Sequence, residues 1–287
     1  MINDGYLMMD CIKWFPDHMK ETLKQIQNNL KLVDLILIVL DARIPFSSMN
    51  FELLKVLNNK SVLLLLNKVS LADMKKICIF TNFMRQKQIP TLPIDAKHKN
   101  NIDKIYPYIR QILKLKNPNF NKLTLKLMIV GVPNVGKSTL INCLSRRKVV
   151  KTANIPGITK RLQWINLNNK IRLLDTPGVL NYKLNTPEMS YALAICGCIK
   201  STLFLKEPII NYSLTYLKKH YYQNLKKCFQ LTDEDLQGDN LLNVIKKKNR
   251  YLSKNNVPDE NKVLDMILHK ISNKEIDKVN FDLDLSL

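Results

Sequence analysis

The run Gly131-Val-Pro-Asn-Val-Gly-Lys-Ser-Thr139 has the residue types and the spacing to hold a chain of phosphates. In a G-x-x-x-x-G-K-[ST] loop the backbone N–H groups surround phosphate oxygens. Pro133, Asn134, Val135 and Gly136 form the turn, Lys137 neutralises charge, the Ser138 hydroxyl is placed to hold Mg2+, and Thr139 continues into a helix. A second cluster, Asp175-Thr-Pro-Gly178, follows 44 residues after Gly131. Asp175 can reach Mg2+ through water, and the Gly178 N–H can contact a terminal phosphate with no side chain in the way. Between them, Pro156-Gly-Ile-Thr159 puts the Thr159 hydroxyl where it can complete the metal shell. Each cluster alone could be a plain turn. In this order they describe a site that binds a nucleoside triphosphate and can cleave it.

The elements that must position these residues are legible on both sides. Leu125 to Val130 reads as a buried strand, and Leu140 to Leu144 as a helix whose N-terminal dipole favours the anion. Upstream, residues 11–31 carry a helix pattern (Met19, Leu23, Ile26, Leu30), and Val33 to Leu40 is a strand ending at Asp41-Ala-Arg43. A helix over 48–58 leads to the strand Ser61 to Leu66, which delivers Asn67-Lys-Val-Ser70 at its carboxyl end. A helix over 71–87, a strand at Thr91 to Ile94, Asp95-Ala-Lys97 and a helix over 101–115 complete this half. Strands alternating with helices predict a mostly parallel sheet. Asn117 to Asn121 is a polar joint, and Asn168-Asn169 predicts a hairpin between strands 162–167 and 170–174. From residue 186 the pattern is helical alone, over 187–200, 209–228, 234–249 and 260–272, and the end, 277–287, reads as frayed. The expected fold is an α/β nucleotide domain over 1–184 followed by a small all-helical domain over 185–287.

Charge suggests a polyanionic partner. The chain of 287 residues has a formal charge of +21, of which residues 1–184 hold +19 and 185–287 only +2. A composition skewed towards Lys, Asn and Ile would also inflate lysine, but would not concentrate it in one half. Candidate phosphate contacts are Arg146-Arg-Lys148 with Lys151, Lys160-Arg161, the aromatic-interleaved run Lys218 to Lys227, whose tyrosines could stack on unpaired bases, and Lys246 to Arg250. The longest apolar runs, Leu35 to Leu40 and Val62 to Leu66, fall far short of the ~18 residues that cross a bilayer, so no stable membrane association is expected. Asp4 and Asp10, with no basic residue in the first ten, argue against a secretory or Arg-rich transit peptide in the sequence given. Six scattered cysteines without C-x-x-C spacing read as reduced thiols, and Cys196-Gly-Cys198 as small helix-packing residues.

These residues carry a resemblance. Gly131 to Thr139, Thr159 and Asp175 to Gly178 resemble the phosphate-side motifs of translation-factor-like small GTPases, and Asn67-Lys68-Val-Ser70 with Asp95-Ala96-Lys97 resembles their two guanine-side motifs. The guanine-side motifs come first, which is similar to the circularly permuted GTPases. Trp14-Phe-Pro-Asp-His-Met19, Asp41-Ala-Arg-Ile-Pro45 and Gln163-Trp164 narrow the resemblance to the RbgA/YlqF type, whose mitochondrial relatives share the plan. It implies a P-loop GTPase domain that takes GTP and Mg2+, hydrolyses slowly alone, and acts in late assembly of the large ribosomal subunit on its rRNA. A monomer in the bacterial cytoplasm is implied, or alternatively in a mitochondrial or other organelle matrix. His18 would position the attacking water, with Lys137 and Thr159 as further catalytic groups. Asn134 resembles the Asn of K+-stimulated GTPases, implying K+; a turn-forming Asn is the equal alternative.

The sequence departs from the family pattern at three positions: Ser70 replaces an Asp that accepts from the guanine N1 and N2 edge, Asp17 replaces Gly, and Asp95 replaces Ser. Ser70 has one hydroxyl and no charge, so guanine selectivity should weaken, with Asp73 one turn on as a candidate substitute. The rival reading is an RNA-docking assembly factor that keeps the fold but has relaxed nucleotide specificity and weak hydrolysis. A P-loop kinase or ATPase fits less well with Asn67-Lys68.

Overall fold

The computed structural model describes residues 18–57, 60–120, 122–151, 161–180, 186–238, 240–248, 259–273 and 275–282, without the side chains of His18 and Glu52. Trp14 to Asp17, Pro156 to Lys160 and the end of the Lys246 to Arg250 cluster lie outside the described residues.

The chain's most apolar stretches make the centre of a six-stranded sheet. Strand β1 (Leu35–Asp41) lies between β2 (Val62–Asn67) and β4 (Leu125–Val130), and β3 (Thr91–Pro93), β5 (Gln163–Asn168) and β6 (Ile171–Asp175) complete the order β3-β2-β1-β4-β6-β5. All neighbours run parallel except β5 and β6, the predicted hairpin, where Asn168 Oδ1 accepts from Lys170 N at 2.8 Å. Every residue of β1 is buried, as expected for a parallel strand covered on both faces. Register aligns the carboxyl ends: Asp41 lies opposite Asn67, Ile38 opposite Val130, and Asp175 opposite Ile129. Every motif the sequence singled out on this half, where described, therefore emerges on one edge of the sheet, the edge at which open α/β sheets bind ligands.

Helices α1 (His18–Asn29), α2 (Phe51–Leu57), α3 (Met74–Gln86), α4 (Ile105–Lys116) and α5 (Lys137–Ser145) flank the sheet. In α3 the buried residues are Ile77, Phe80 and Met84, the stripe a 3.6-residue period presents to one neighbour. Beyond residue 186 come α6 (Pro187–Ile195), α7 (Lys206–His220), α8 (Tyr222–Phe229), α9 (Asp233–Gln237), α10 (Leu241–Lys248) and α11 (Glu260–Ser272). The helix expected over 187–200 stops at Ile195, where Gly197 turns the chain with φ +71°. The one expected over 209–228 is two helices, broken at Tyr221 (φ −139°, ψ 46°).

The largest difference from expectation is the chain's end. Residues 277–282 are not frayed: Val279 and Phe281 are each 1% exposed. The alternation Val279-Asn-Phe-Asp282 makes an extended strap whose apolar side chains enter the core while its polar ones bond the loops after β1 and β2. Val279 N donates to Leu71 O (3.2 Å) and Phe281 N to Arg43 O (2.8 Å). Asn280 Nδ2 donates to Ala42 O (2.9 Å), while its Oδ1 accepts from Asp73 N (2.8 Å). Asp282 accepts from Phe46 N, Ser47 N and Ser47 Oγ at 2.6–3.0 Å. Tyr221, the break between α7 and α8, is part of the same attachment, because its hydroxyl accepts from Asn280 N at 3.1 Å. Tyr221, one of the tyrosines of the Lys218 to Lys227 run, thus has its hydroxyl engaged within the protein. Among the described residues no helix is long and apolar enough to cross a membrane.

Candidate nucleotide site

On the phosphate side, β4 ends at Val130 and the chain turns through Gly131 (φ +152°), where a Cβ would lie 2.4 Å from Val39 O. Only glycine lets the loop pass this close to β1. Gly136 (φ +100°) is equally constrained, since a Cβ there would meet Asn67 Nδ2 at 2.3 Å. Lys137 opens α5, and its Nζ folds back to donate to Gly131 O (2.9 Å) and Val132 O (3.0 Å). It is 7% exposed; burial pushes its pKa down to about 8, opposed by the negative charge of Asp175. Ser138 and Thr139 follow, half-buried at the helix N-terminus, and Asp175 is fully buried on the strand next to the loop. The Asp175 to Gly178 segment lies against the loop: a Cβ on Gly178 would be 2.7 Å from Pro133 N, and Val179 N donates to Gly131 O at 3.3 Å. A glycine-lined turn, a desolvated ammonium and a buried carboxylate beside a helix N-terminus are a donor set that fits a triphosphate with Mg2+. Ser138 and Asp175 would hold the metal, which would neutralise developing phosphate charge when bound.

The base side is built from the ends of β2 and β3, and Asn67 joins it to the phosphate side. Its Nδ2 donates to Val135 O in the phosphate loop (2.8 Å), while its Oδ1 accepts from Ala96 N (2.9 Å). Lys68 (φ +65°) places Nζ 2.7 Å from Asp41 Oδ2, and Arg43 grips the same carboxylate through Nε (3.0 Å) and Nη2 (2.8 Å). Burial opposes ionisation of Asp41, but the Arg43 and Lys68 charges hold its carboxyl well below the usual range. Ser70 is half-exposed. Its N–H donates to Asp95 Oδ2 at 3.2 Å. His98 N and Nδ1 meet Asp95 Oδ1 at 2.9 and 2.8 Å, and a two-way bridge between Asp95 and Asn100 closes the turn that carries exposed Lys97. Asp73, the candidate substitute for a carboxylate at position 70, is instead the N-cap of α3, accepting from Lys75 N at 2.9 Å.

Two family models cover this arrangement: residues 126–284 match the 50S ribosome-binding GTPase model and residues 18–185 match RsgA GTPase. Ribosome biogenesis GTPase A of Priestia megaterium is 34% identical over 280 residues, spanning 94% of this chain and 96% of that protein. The chain belongs to this GTPase family. Mitochondrial ribosome-associated GTPase 1 of Mus musculus is 36% identical over 223 residues, 74% of this chain and 68% of that protein. The GNP-bound YlqF structure from T. maritima shares the fold, with a TM-score of 0.56 at 24% identity over 90% of this chain and 96% of that one. As a member of the family the chain is a GTPase, and its order is the permuted one: β1 to β3, with the base-side loops, precede the phosphate loop.

Within this GTPase, the structure brings together Asn67, Lys68, Ser70, Asp95, Ala96, Lys97, Pro133 to Thr139, Asp175 and Gly178 along one sheet edge. It does not place two further candidates: Thr159 and the His18 side chain lie outside the described residues. Asn134 takes the left-handed conformation (φ +61°) and donates from Nδ2 to Gly197 O at 2.7 Å, as a turn-former that also ties the phosphate loop to the end of α6. Cys196 and Cys198 sit in that same turn rather than in a helix. Both are buried, and burial pushes the Cys198 thiol up to about 12, which fits packing and not redox chemistry. Sequence reasoning quoted Asp41 and Arg43 without a role. Arg43 also donates from Nη1 to Ser272 O at 2.5 Å, so one buried ion cluster connects β1, the base-side loop and α11. The signal for the strap was its alternating Val279-Asn-Phe-Asp282 pattern.

Proposed function

We propose that this GTPase couples GTP hydrolysis to a late step in assembly of the large ribosomal subunit, docking on its rRNA with GTP and leaving after hydrolysis. The observation that carries this reading is the position of one basic loop. Arg146, Arg147, Lys148 and Lys151 are exposed immediately after α5, the helix that begins at the phosphate-loop lysine. The loop is braced, not loose: Asn142 Oδ1 accepts from Val149 N (2.8 Å) and Val150 N (3.0 Å), and its Nδ2 donates to Val150 O (2.9 Å). A polyanion gripped there is mechanically connected to the nucleotide. The two clusters in the helical region differ, because Lys226, Lys246 and Lys248 pair with Asp233, Glu207 and Asp235 of that region itself.

In this reading residues 1–184 are the nucleotide domain and 185–287 a helical ribosome-binding domain, working as a monomer. Lys137 and the loop N–H groups hold the phosphates; Ser138, Thr159 and Asp175 serve Mg2+; Gly178 contacts the terminal phosphate; His18 positions water. Asn67, Lys68, Ser70 and the Asp95-Ala96-Lys97 turn hold the base. K+ at Asn134 is part of the proposal and is checked by exchanging K+ for Na+. The compartment is the bacterial cytoplasm, with an organelle matrix as the alternative. The test is GTP turnover with and without large subunits. Stimulation that is lost when Arg146, Arg147 and Lys148 become Ala, with GTP affinity retained, supports the proposal; no stimulation overturns it. The uncharged Ser70 favours the second reading, a docking factor with relaxed nucleotide choice, which requires equal GTP and ATP affinity.

A further inference from the structure

A helix ends in backbone carbonyls that have no N–H of their own helix left to accept from, and its negative dipole end attracts a cation. In α6 the chain meets part of this need itself: Cys196 N, Gly197 N and Cys198 N donate to Ala192 O, Ala194 O and Leu193 O at 2.8–3.0 Å. The next two carbonyls are met from outside. Cys196 O accepts from Arg43 Nη2 at 3.4 Å, and Gly197 O from Asn134 of the phosphate loop at 2.7 Å. Arg43 Nη1 also donates to the carbonyl of Ser272, the last residue of α11, at 2.5 Å. One guanidinium, 3% exposed, thus closes the C-terminal ends of two helices beyond residue 186. Its other edge faces the base side. Nε and Nη2 grip both oxygens of fully buried Asp41, whose Oδ2 accepts from Lys68 Nζ as well, at 2.7 Å. Lys68, its side chain 23% exposed, is the member of this cluster that reaches the surface.

We propose that Arg43 is a positioning residue for the base side: it fixes the Asp41 carboxylate between the helical region and Lys68, so that docking of α6 and α11 sets where the Lys68 ammonium stands. A lysine at 43 cannot do the same, because only a planar fork reaches a carboxylate and two helix ends at once. The phosphate loop has its own tie to the α6 end, through Asn134, and does not depend on the guanidinium. Base binding therefore relies on Arg43 and phosphate binding does not. Linkage makes the dependence reciprocal, so a nucleotide that engages Lys68 steadies the two helix ends. This rests on the proposed place of Lys68 at the base.

GDP and pyrophosphate affinities are measured by calorimetry on the full-length protein for wild type, Arg43→Lys, Lys68→Met and the double variant. Asp41→Asn, which breaks the same chain of contacts, replaces Arg43→Lys in both variants if the latter fails to fold. The expected result is a loss of GDP affinity on the order of tenfold or more in Arg43→Lys, the size of a lost charge-assisted hydrogen bond, with pyrophosphate affinity retained. The double variant should bind GDP no more weakly than Lys68→Met, because Arg43 acts through that lysine. Additive losses overturn the proposal, as does an equal fall for GDP and pyrophosphate, the mark of a residue that only supports the fold. Amide exchange reads the reciprocal effect. GDP, but not pyrophosphate, should slow exchange over residues 195–198 and 271–273 in wild type and not in Arg43→Lys; absence of that slowing in wild type overturns the link to the helical region. A Lys68→Met variant that binds GDP as tightly as wild type overturns the underlying placement of Lys68 at the base instead, and the two failures are distinguishable.

Discussion

The two halves of the nucleotide site tolerate sequence change differently, and the reason is what each uses to make contact. The phosphate side is backbone and glycine: Gly131, Gly136 and Gly178 are hemmed in at 2.3–2.7 Å by Val39 O, Asn67 Nδ2 and Pro133 N, and one buried lysine supplies the charge. Nothing larger fits, so the motif reads cleanly from sequence. The base side is held by bonds between separate loops, with Asn67 Oδ1 accepting from Ala96 N and Asp95 Oδ2 from Ser70 N. Ser70 and Asp95 are separate departures when read one at a time, yet in space the Ser70 N–H is bonded to the Asp95 carboxylate. The base side is also the half held by the distant C-terminus, through Asn280 and Asp282.

The most severe way to break this contrast is Gly136→Ala. It forces a Cβ into Asn67 Nδ2 at a residue with φ +100°, so the phosphate turn and the Asn67 joint fail together. GDP, ADP and pyrophosphate affinity should all fall on the order of a hundredfold or more, close to 3 kcal/mol. Titration of the three ligands checks it; a loss confined to GDP would mean that the turn is not the common element.

Asn67→Ala attacks the joint itself. It removes the partners of Val135 O and Ala96 N, in a residue 2% exposed. Leaving each buried group unsatisfied costs about 1–3 kcal/mol, and thermal unfolding in the absence of ligand should register the sum. Asn280→Ala comes next and should sharpen the asymmetry. Loss of its bonds to Ala42 O and Asp73 N costs about 1–3 kcal/mol locally, seen as faster amide exchange over residues 42–48 and 71–73. Exchange in 131–139 should stay unchanged; acceleration there would show that the strap supports both halves.

How much of this was legible follows the same division. Alternating apolar strands and helices, the hairpin at Asn168-Asn169 and the phosphate loop were readable because each depends on local pattern or on backbone geometry that few residues permit. The Ser70–Asp95 pair spans 25 residues and the Asp282–Ser47 contact 235, and no local signal joins them. The 277–287 tail was expected to fray because short, polar-rich chain ends usually do. What overrode that rule was burial of Val279 and Phe281 against the loops after β1 and β2. Likewise Tyr221 looked like one more aromatic in a basic helix until its hydroxyl was seen to hold the strap.

The smallest expected effect tests the phosphate side by pH. Lys137 has a pKa lowered to about 8 by burial without a ligand, and bound phosphates would raise it again by supplying the opposite charge. The bound form then holds its proton more tightly than the free form. Affinity is consequently at its maximum below pH 8 and is lost as pH rises through that value, because binding must first protonate the lysine. Linkage gives roughly a fourfold loss between pH 7 and 8.5. Pyrophosphate should show the same loss as GDP, since the lysine meets phosphate and not base. The GDP to ADP ratio should be flat across this range, because Asp95 is ionised throughout. A ratio that drifts with pH would place a titrating group on the base side and break the separation between the two halves.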